Sequence, residues 1–525
     1  MFNKFLLILL FFNLAPPLFA GEETIPITIL YTSGNKGSFL PYKIYESRIF
    51  EDLDIKIGDR YGGYAAIAHY IKKTREEVEE EKGIFLLIDG GNSLVGSSEA
   101  NFFQGRVSVD FMNRMGYNSI TVSNLDWSLG VDNVKELSDN ATFAFLNANI
   151  LIKGTNQHPP YLKPYIIVEA GGLKIGIIGY VQHDLSIWLD PTRVRGLEGR
   201  PAIPIIRKYI KEMKEKGAVL IIAMDHTASD NYRKTALLTG GIDVLIDGSA
   251  GWDSYYVGEA KLPRPEKIEN TYIFPEVDSD FAVGRIDLTY DRKNQRIAST
   301  NFERYFMNLK EVEEDPEIKK FVSKFSDIYF EVIGKKLQEI IGYAADDLTT
   351  DWDDDWAAPL GTLICNAMRQ AAGTDMGIQN LGAIRRHIKK GPIKVRDVQD
   401  AIPFKNKLVT FKVKGRDIYR FRFLSFYHDS QPRVPWIYTS GMKITRTPEM
   451  MIKKITIGGK EIQADRDYTF ATNSYLYNGG YLKRDGVCRD FKVREEKVAD
   501  IVVDYIKEHS PISSSGREVG THVEY

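Results

Sequence analysis

The stretch Ile29-Leu30-Tyr31-Thr32-Ser33-Gly34-Asn35-Lys36-Gly37-Ser38-Phe39-Leu40-Pro41 decides how the first half of the chain is interpreted. The largely apolar run from Ile25 to Leu30 predicts a strand, and the small polar residues after it predict a turn that ends at Gly37 and Pro41. In α/β folds a buried strand delivers the side chains that follow it to the edge of a sheet, where ligands bind. The stretch therefore predicts a ligand-binding loop at a sheet edge.

The same arrangement, an apolar run followed by a polar loop, recurs between residues 84 and 251. The loops that follow these runs are Asp89-Gly90-Gly91-Asn92, Ser123-Asn124-Leu125-Asp126, Asp225-His226-Thr227 and Asp247-Gly248-Ser249-Ala250-Gly251. The run before Asp89, Ile84-Phe85-Leu86-Leu87-Ile88, is apolar throughout, which is typical of a strand in a sheet that is covered on both faces. The pattern predicts an α/β sandwich with its site at the strand ends.

These loops resemble, in order and approximate spacing, the motifs of the 5′-nucleotidase / UDP-sugar hydrolase family, whose members are two-domain metallophosphoesterases. In that family the first turn reads leucine-histidine-threonine-asparagine-aspartate-x-histidine-glycine, and its aspartate and second histidine bind metal. The corresponding positions here are Gly34 and Lys36. Glycine offers no ligand, and a lysine ammonium repels a cation.

The resemblance places the family's other metal motifs on the later loops. Its bridging aspartate falls on Asn92, and its glycine-asparagine-histidine-glutamate falls on Ser123-Asn124-Leu125-Asp126. Its two remaining histidine motifs fall on His226 and on Gly248 to Gly251, so that Ser249 and Gly251 replace ligands. Asn92, Asn124 and His226 thus form a remnant shell, and the resemblance implies that the dinuclear centre is lost. Alternatively, the two asparagines only cap turns and the imidazole is a packed remnant.

The second half of the chain resembles the family's C-terminal domain. Lys310 to Lys336 has the spacing of an amphipathic helix and lies where the family has its interdomain helix. The stretch Asp375 to Arg385 resembles the asparagine-glycine-glycine-glycine-isoleucine-arginine motif. By motif position, the resemblance implies that Asn380, Arg385, Trp436 and Tyr475 bind a substrate, the two rings by stacking on a base. Alternatively, the two rings only fill a core or an interface.

The ends and the composition of the chain restrict where it acts. Met1 to Ala20 has a positive start, an apolar run and a small residue at its end, which predicts a secretory signal peptide. We therefore expect a periplasmic or secreted protein with no membrane span after cleavage. The 69 basic and 71 acidic residues nearly cancel, so we expect no nucleic-acid partner. The sequence leaves open whether Cys365 and Cys488 pair.

Together these observations predict a metallophosphoesterase-like α/β sandwich domain joined by a helix to an α/β 5′-nucleotidase-type C-terminal domain. The predicted segments are a signal peptide (1–20), the first domain (21–309), an interdomain helix and linker (310–345), the C-terminal domain (346–515) and a tail (516–525).

Three functions are compatible with this organisation. The first is a pseudoenzyme that binds a nucleotide, another small anion or a partner protein, with no cofactor. The second is an active phosphoester hydrolase of nucleotide catabolism, with Mn, Zn or Ca in a remodelled site. The third is a periplasmic scaffold or partner subunit, possible in sulfur oxidation because the family includes a thiosulfohydrolase. We expect a small, nucleotide-like ligand or a periplasmic protein as the partner.

Overall fold

A computed structural model describes residues 23–43, 58–185, 189, 192–227, 231–248, 264–277, 281–350, 358–419, 437–446, 452–478, 482, 486–513 and 521–523. The predicted signal peptide, Ser249, Gly251 and Trp436 lie outside these residues.

The N-terminal domain is built from strands that alternate with helices along the chain. Its strands are β1 (Thr24–Thr32), β2 (Tyr42–Lys43), β3 (Arg60–Tyr61), β4 (Ile84–Asp89), β5 (Ser119–Thr121), β6 (Ala144–Leu146), β7 (Ile150–Ile152), β8 (Tyr165–Ala170), β9 (Leu173–Val181), β10 (Leu197–Gly199), β11 (Leu220–His226), β12 (Val244–Asp247), β13 (Glu266–Ile268), β14 (Thr271–Phe274), β15 (Ala282–Asp291) and β16 (Arg296–Phe306). Its helices are α1 (Tyr64–Glu80), α2 (Ser98–Phe102), α3 (Arg106–Met115), α4 (Val131–Asp139), α5 (Ala202–Glu215) and α6 (Asn231–Thr239).

Within the described residues, this domain has two six-stranded sheets, with the orders β16-β15-β1-β4-β5-β6 and β13-β14-β12-β11-β9-β8. The strands β1, β4, β5 and β6 are parallel neighbours, as are β9, β11, β12 and β14. Parallel strands end at the same edge of a sheet. The polar loops that follow β1, β4, β5, β11 and β12 therefore lie at corresponding edges of the two sheets.

The alternation of side chains along β1 explains how the two sheets pack. Ile27, Ile29 and Tyr31 are buried in one apolar cluster together with residues of the second sheet, such as Ile222. Leu30 points to the opposite face, where it joins a cluster formed with α1 and α3. On the far side of the second sheet, α5 and α6 cover a further cluster. The domain is thus a helix–sheet–sheet–helix sandwich, as the sequence predicts.

The connector between the domains starts later than the periodic pattern suggests. Helix α7 (Pro316–Tyr329) begins at Pro316 because the Asp315 side chain accepts a hydrogen bond from the Ile318 amide (2.8 Å) and caps the helix. A π-helical turn, Phe330–Gly334, and the short helix α8 (Lys335–Leu337) follow it. The charged segment before Asp315 is not helical, since it lies ahead of this cap.

The C-terminal domain has a central five-stranded sheet of order β21-β18-β25-β20-β26 in the described part of the chain. The strands are β17 (Ile340–Ala344), β18 (Met376–Asn380), β19 (Gly391–Lys394), β20 (Lys407–Lys414), β21 (Ile437–Ser440), β22 (Met442–Arg446), β23 (Ile452–Ile457), β24 (Lys460–Glu461), β25 (Asp467–Asn473), β26 (Arg489–Lys497) and β27 (Thr521–Val523). The helices are α9 (Pro359–Ala372), α10 (Val395–Ala401), α11 (Gly415–Ile418), α12 (Ser474–Asn478) and α13 (Val498–His509). Cys365 is buried in α9 and Cys488 lies in another cluster, and no disulfide joins the two residues.

The two domains contact each other through α2 of the first domain. The Phe102 ring meets the Tyr329 ring edge-on, with 5.5 Å between ring centroids, and Phe102 packs on the core of the C-terminal domain. Glu99 is buried at this contact, where Asp400, Arg396 and Arg386 of the C-terminal domain act on its charge. The domains therefore share a partly charged interface.

None of the described helices is both long enough and apolar enough to cross a membrane.

Candidate functional site

The loops after the strands of the two sheets meet in one place. The Gly34 amide donates to the Gly91 carbonyl (2.7 Å), which ties the loop after β1 to the loop after β4. Gly90 and Gly248 pack so closely that a Cβ on Gly90 would lie 3.0 Å from the Cα of Gly248. A larger residue at either position would separate the two sheets at their edges. The glycines thus bring the loops after β1, β4, β11 and β12 into contact.

Asn92 and His226 form the centre of this meeting point. The Asn92 side-chain oxygen accepts hydrogen bonds from the Ser123 hydroxyl (2.6 Å) and from the Leu125 amide (2.8 Å). Its side-chain nitrogen therefore faces the Nε2 atom of His226, 3.0 Å away. Asn92 has a φ of 57°, in the left-handed region that asparagine tolerates better than most residues. Its backbone conformation directs the amide across the gap between the two sheets.

The hydrogen bonds of His226 fix its tautomer. Nδ1 lies 2.9 Å from the Gly90 carbonyl, which can only accept, so Nδ1 carries the proton. Nε2 then holds the lone pair, and the Asn92 amide donates to it. Burial lowers the pKa of His226 to about 4, although the bond to Gly90 acts in the opposite direction. The imidazole is neutral at physiological pH, and its only lone pair is engaged by a side chain of the protein.

Asp126 holds the loop that carries Asn92. Its carboxylate is fully buried and accepts hydrogen bonds from the backbone amides of Asn92 (2.9 Å), Ser93 (3.1 Å) and Leu94 (2.9 Å). The Ser123 amide (3.0 Å) completes the set, and the Ser123 hydroxyl, whose proton goes to Asn92, lies 3.1 Å from the same carboxylate. Burial raises the pKa of Asp126, and these donors oppose the shift. Both oxygens are thus committed to shaping the loop, a role that its motif position did not reveal.

Two further buried carboxyl groups lie beside the site, at the ends of β4 and β11. Asp89 accepts from the Thr32 hydroxyl (2.6 Å) and the Gly91 amide (2.7 Å), and burial raises its pKa to about 7. Asp225 accepts from the Tyr180 hydroxyl (2.9 Å) and from Thr227, and burial raises its pKa to about 6. These local hydrogen bonds engage both oxygens of each carboxyl group.

Three further motif positions, Asn124, Gly34 and Lys36, lie within the described residues. The Asn124 side chain makes no hydrogen bond with a described residue, and it lies next to a short helical turn, Leu125–Trp127. Gly34 and Lys36 use their backbone amides to bind the loop after β4, the Lys36 amide at 2.8 Å from the Asn92 carbonyl.

The donor set of the described residues does not fit a dinuclear metal centre. Such a centre needs several carboxylates and imidazoles whose lone pairs face one point. Across the described ranges, no three His, Cys, Asp or Glu side chains come close enough together to hold a metal ion. The side chains that do converge are an amide and an imidazole that satisfy each other. What this arrangement offers a ligand is a neutral, hydrogen-bonded surface.

The predicted substrate residues of the C-terminal domain lie at the end of β18 and on α12. The Asn380 side-chain oxygen accepts from the Asn473 side chain (2.8 Å), which fixes its orientation. Tyr475 is partly buried against the core beneath the five-stranded sheet. Arg385 is exposed, and its guanidinium lies 5.2 Å from the centroid of the Phe404 ring. Their role in binding stays a prediction, as does that of Trp436.

Sequence reasoning did not single out Phe404 as a site residue. The available signal was its neighbourhood in the motif Pro403-Phe404-Lys405-Asn406, because an aromatic residue between a proline and polar residues does not follow the pattern of a core strand. In the folded chain Phe404 is half-buried, and with Arg385 it forms a flat surface near the end of β18.

Comparisons with known proteins agree with this architecture. Residues 340–483 match the family described as 5′-nucleotidase, C-terminal domain. The 5′-nucleotidase of Vibrio cholerae is 24% identical over 538 residues, covering 94% of this chain and 92% of that protein. Over most of its length the chain is thus similar to members of the 5′-nucleotidase family. Members of this family are normally phosphoesterases that depend on divalent metals.

Two other comparisons concern the fold of this chain and its length. The crystal structure of the 5′-nucleotidase precursor from Thermus thermophilus superimposes with a TM-score of 0.78 at 20% identity, covering 95% of this chain and 99% of that one. This likeness confirms the predicted two-domain α/β fold. Endonuclease YhcR of Bacillus subtilis is 23% identical over 508 residues, which span 93% of this chain but only 40% of that protein.

Proposed function

We propose that this chain is an exported member of the 5′-nucleotidase family that binds a nucleotide or a similar small anion and does not hydrolyse it. Export rests on the predicted signal peptide. Ligand binding rests on the family fold together with Asn380, Arg385 and Tyr475 at their motif positions. The absence of hydrolysis rests on the side chains of the strand-end loops, which offer few free metal ligands.

The observation that carries the proposal is the hydrogen bond from the Asn92 amide to His226 Nε2. An imidazole binds a metal ion through a free lone pair. A metal at His226 would have to break this bond, leaving a partly buried amide donor unpaired at a cost of at most about 3 kcal/mol. The site would gain little in return, because Gly34 and Lys36 supply no side-chain ligand. The loops therefore favour the metal-free state.

The first test is metal content and turnover of the purified mature protein. After loading with Mn²⁺, Zn²⁺ or Ca²⁺ and desalting, we expect far less than one metal per chain. We also expect no hydrolysis of AMP or of a UDP-sugar. Near-stoichiometric metal, with turnover that the substitution His226→Ala abolishes, would overturn the proposal in favour of a hydrolase with a remodelled site.

A second arm measures binding in the presence of EDTA. Isothermal titration with AMP should give a saturable signal in wild-type protein and a weaker one in Arg385→Gln. His226→Ala serves as the matched control, since the proposal gives His226 no contact with the nucleotide. If AMP fails to bind while turnover is also absent, the ligand-binding proposal is overturned, and the scaffold hypothesis, with a protein partner, takes its place.

A further inference from the structure

Helices α5 and α6 lie side by side on the outer side of the second sheet. Both bury apolar residues in the same cluster, among them Ile206 of α5 and Ala236 of α6. The Arg207 guanidinium of α5 donates to the Leu238 carbonyl of α6, with 2.8 Å between Nε and the oxygen. These contacts hold the two helices together, so their exposed side chains form one continuous surface. We call the exposed side chains of these two helices the α5–α6 surface.

The outer face of α6 presents two leucines beside two cations. Among its described side chains, the exposed ones are Arg233, Lys234, Leu237 and Leu238. Residues three or four positions apart share one side of a helix, so the leucines stand one turn after the cations on the same side. Leu237 is 56% exposed and Leu238 is 50% exposed. A surface helix usually keeps its apolar residues on the face that packs on the core, and these two leucines lie on the other face.

The α5–α6 surface is also basic. The two helices carry only two carboxylates, Glu212 and Glu215, against six cations, which are Arg207, Lys208, Lys211, Lys214, Arg233 and Lys234. Arg233 pairs with Glu266 at 2.9 Å. Lys208 and Lys234 form no ion pair with a described residue. The whole chain has a formal net charge of -2, so this positive charge is a local property.

The helices on the opposite side of the sandwich do not share this charge. Helix α1 carries three cations and four carboxylates, and helix α7 carries three cations and two carboxylates. Both helices pack on the cluster that covers the first sheet, for example through Ile67 and Ile318. The helices of the N-terminal domain are therefore more basic on the α5–α6 side than on the α1–α7 side. A negatively charged surface would attract the domain by its α5–α6 side.

The leucines and the cations together indicate the chemistry of the partner. Cations alone would suit any polyanion, but exposed leucines gain nothing from a polyanion that stays in water. At a lipid bilayer, lysine and arginine side chains contact the anionic headgroups, while apolar side chains enter the boundary between headgroups and acyl chains. A bilayer with anionic headgroups therefore uses both features of this surface.

We propose that the α5–α6 surface binds an anionic lipid bilayer, with Leu237 and Leu238 inserted at the headgroup boundary and the surrounding cations on the lipid phosphates. The chain then lies on the membrane as a peripheral protein. The surface contains none of the residues assigned to nucleotide binding and none of the strand-end loops. It therefore goes beyond the proposed function and can be tested separately from it.

The first test is cosedimentation of the full mature chain with lipid vesicles. One set contains phosphatidylglycerol and phosphatidylcholine in equal amounts, and the other contains phosphatidylcholine alone. We expect binding to the anionic vesicles and binding weaker by about tenfold or more to the neutral ones, because several cations contribute. Added salt should release the protein, since it screens exposed charges. Equal binding to both sets, or binding to neither, would overturn the proposal.

Leu238→Ser tests the insertion of the leucines. It should weaken binding to the anionic vesicles about fivefold, because less apolar surface leaves water. Ile328→Ser is the matched control, since Ile328 is 47% exposed and lies on α7, at the opposite side of the sandwich. It should leave the affinity unchanged. Equal losses in the two variants would show that the α5–α6 surface is not the contact.

Lys234→Glu tests the contribution of charge. It should weaken binding to the anionic vesicles about tenfold, because a cation is replaced by a carboxylate. Lys320→Glu, the same change at an exposed position of α7, is the control and should have no effect. If Lys234→Glu also has no effect, the surface is wrong.

A soluble polyanion distinguishes the bilayer from the other possible partner. Heparin should bind more weakly than the anionic vesicles, and Leu238→Ser should not alter its binding. If heparin binds as tightly as the vesicles and Leu238→Ser alters neither affinity, the partner is a soluble polyanion and the bilayer is wrong. All four substitutions are at exposed positions, and circular dichroism confirms that each variant is folded. Binding of AMP in EDTA should be the same in Leu238→Ser as in wild type, so the result does not depend on the proposed function.

Discussion

The carboxylate of Asp126 offers the sharpest test of how the loop at the strand ends is held. The substitution Asp126→Asn preserves the shape of the side chain but replaces one acceptor oxygen with a donor amide. If the amide replaces Oδ1, the hydrogen bonds from the Ser93 and Leu94 backbone amides are lost, and these two N–H groups then face the NH₂ group of the new side chain. If it replaces Oδ2, the two bonds from the Asn92 and Ser123 amides are lost instead.

The size of the effect follows from the number of bonds lost. A hydrogen bond to a charged group contributes about 1.5–3 kcal/mol, so the loss of two gives about 3–6 kcal/mol. The neutral side chain also avoids the cost of burying a charge, which favours the lower end, near 3 kcal/mol. Total stabilities of domains are about 5–15 kcal/mol, so this is a large fraction of the total. The loop of residues 92–94 should open before the rest of the domain.

Hydrogen exchange followed by mass spectrometry measures this directly. In Asp126→Asn, peptides covering residues 90–95 should lose protection, and urea unfolding of the N-terminal domain should shift to lower concentration. Peptides from β20 in the C-terminal domain should not change. Asp132→Asn, the same chemical change at an exposed position of α4, is the control and should alter stability by less than about 0.5 kcal/mol. A loss below about 1 kcal/mol in Asp126→Asn, with protection retained at 92–94, would refute the assigned role.

Three further predictions concern buried groups and close contacts. Because Asp89 has a folded-state pKa of about 7, the folded protein keeps a proton that the unfolded chain releases near pH 4; stability should fall by up to about 4 kcal/mol as the pH rises from 4 to 7. Urea unfolding of Asp89→Asn should show a shallower pH slope, and an unchanged slope would contradict the shift. Gly91→Ala should lower the melting temperature by several degrees, since Gly91 has a φ of 103° and a Cβ there would lie 2.5 Å from a backbone oxygen. Gly154→Ala is the control, because Gly154 also has a positive φ but a Cβ there would have no atom within 4 Å, so this variant measures the cost of backbone strain alone. Burial and a neighbouring carboxylate raise the pKa of Glu99, so Glu99→Gln should raise the melting temperature at pH 8 more than at pH 5; an equal effect at both would show that its ionisation does not affect stability.

The sequence predicted the sandwich and the loops at its edges well. Continuous apolar runs such as Ile84 to Ile88 have only one stable placement in a domain of this size, inside a covered sheet, and β4 occupies those residues together with Asp89. Strand ends differ from the predicted ones by one or two residues, because the point at which pairing stops depends on the neighbouring strand. The extent of the interdomain helix was overestimated, since periodicity continues through residues that lie before the Asp315 cap.

The contacts between side chains within the candidate site could not be predicted from the sequence in the same way. Motif order places Asn92 and His226 in one region but gives no information on which atom of each faces the other. Their mutual hydrogen bond depends on the left-handed backbone at Asn92 and on the Gly90–Gly248 contact.

The pairing of β1 with β15 has a consequence for how the chain acquires its structure during synthesis. Residue Ile29 lies opposite Ile286 in this antiparallel pair, so the strand that leads to Gly34 and Lys36 gains its second neighbour only after more than half of the chain has been made. Ribosomes add about 5–20 residues per second, which leaves an interval of roughly ten to fifty seconds in which one edge of β1 is open. An unpaired, apolar strand edge is a template for aggregation. Nascent chains stalled before residue 282 should therefore bind chaperones strongly, and those extended past residue 306 should not.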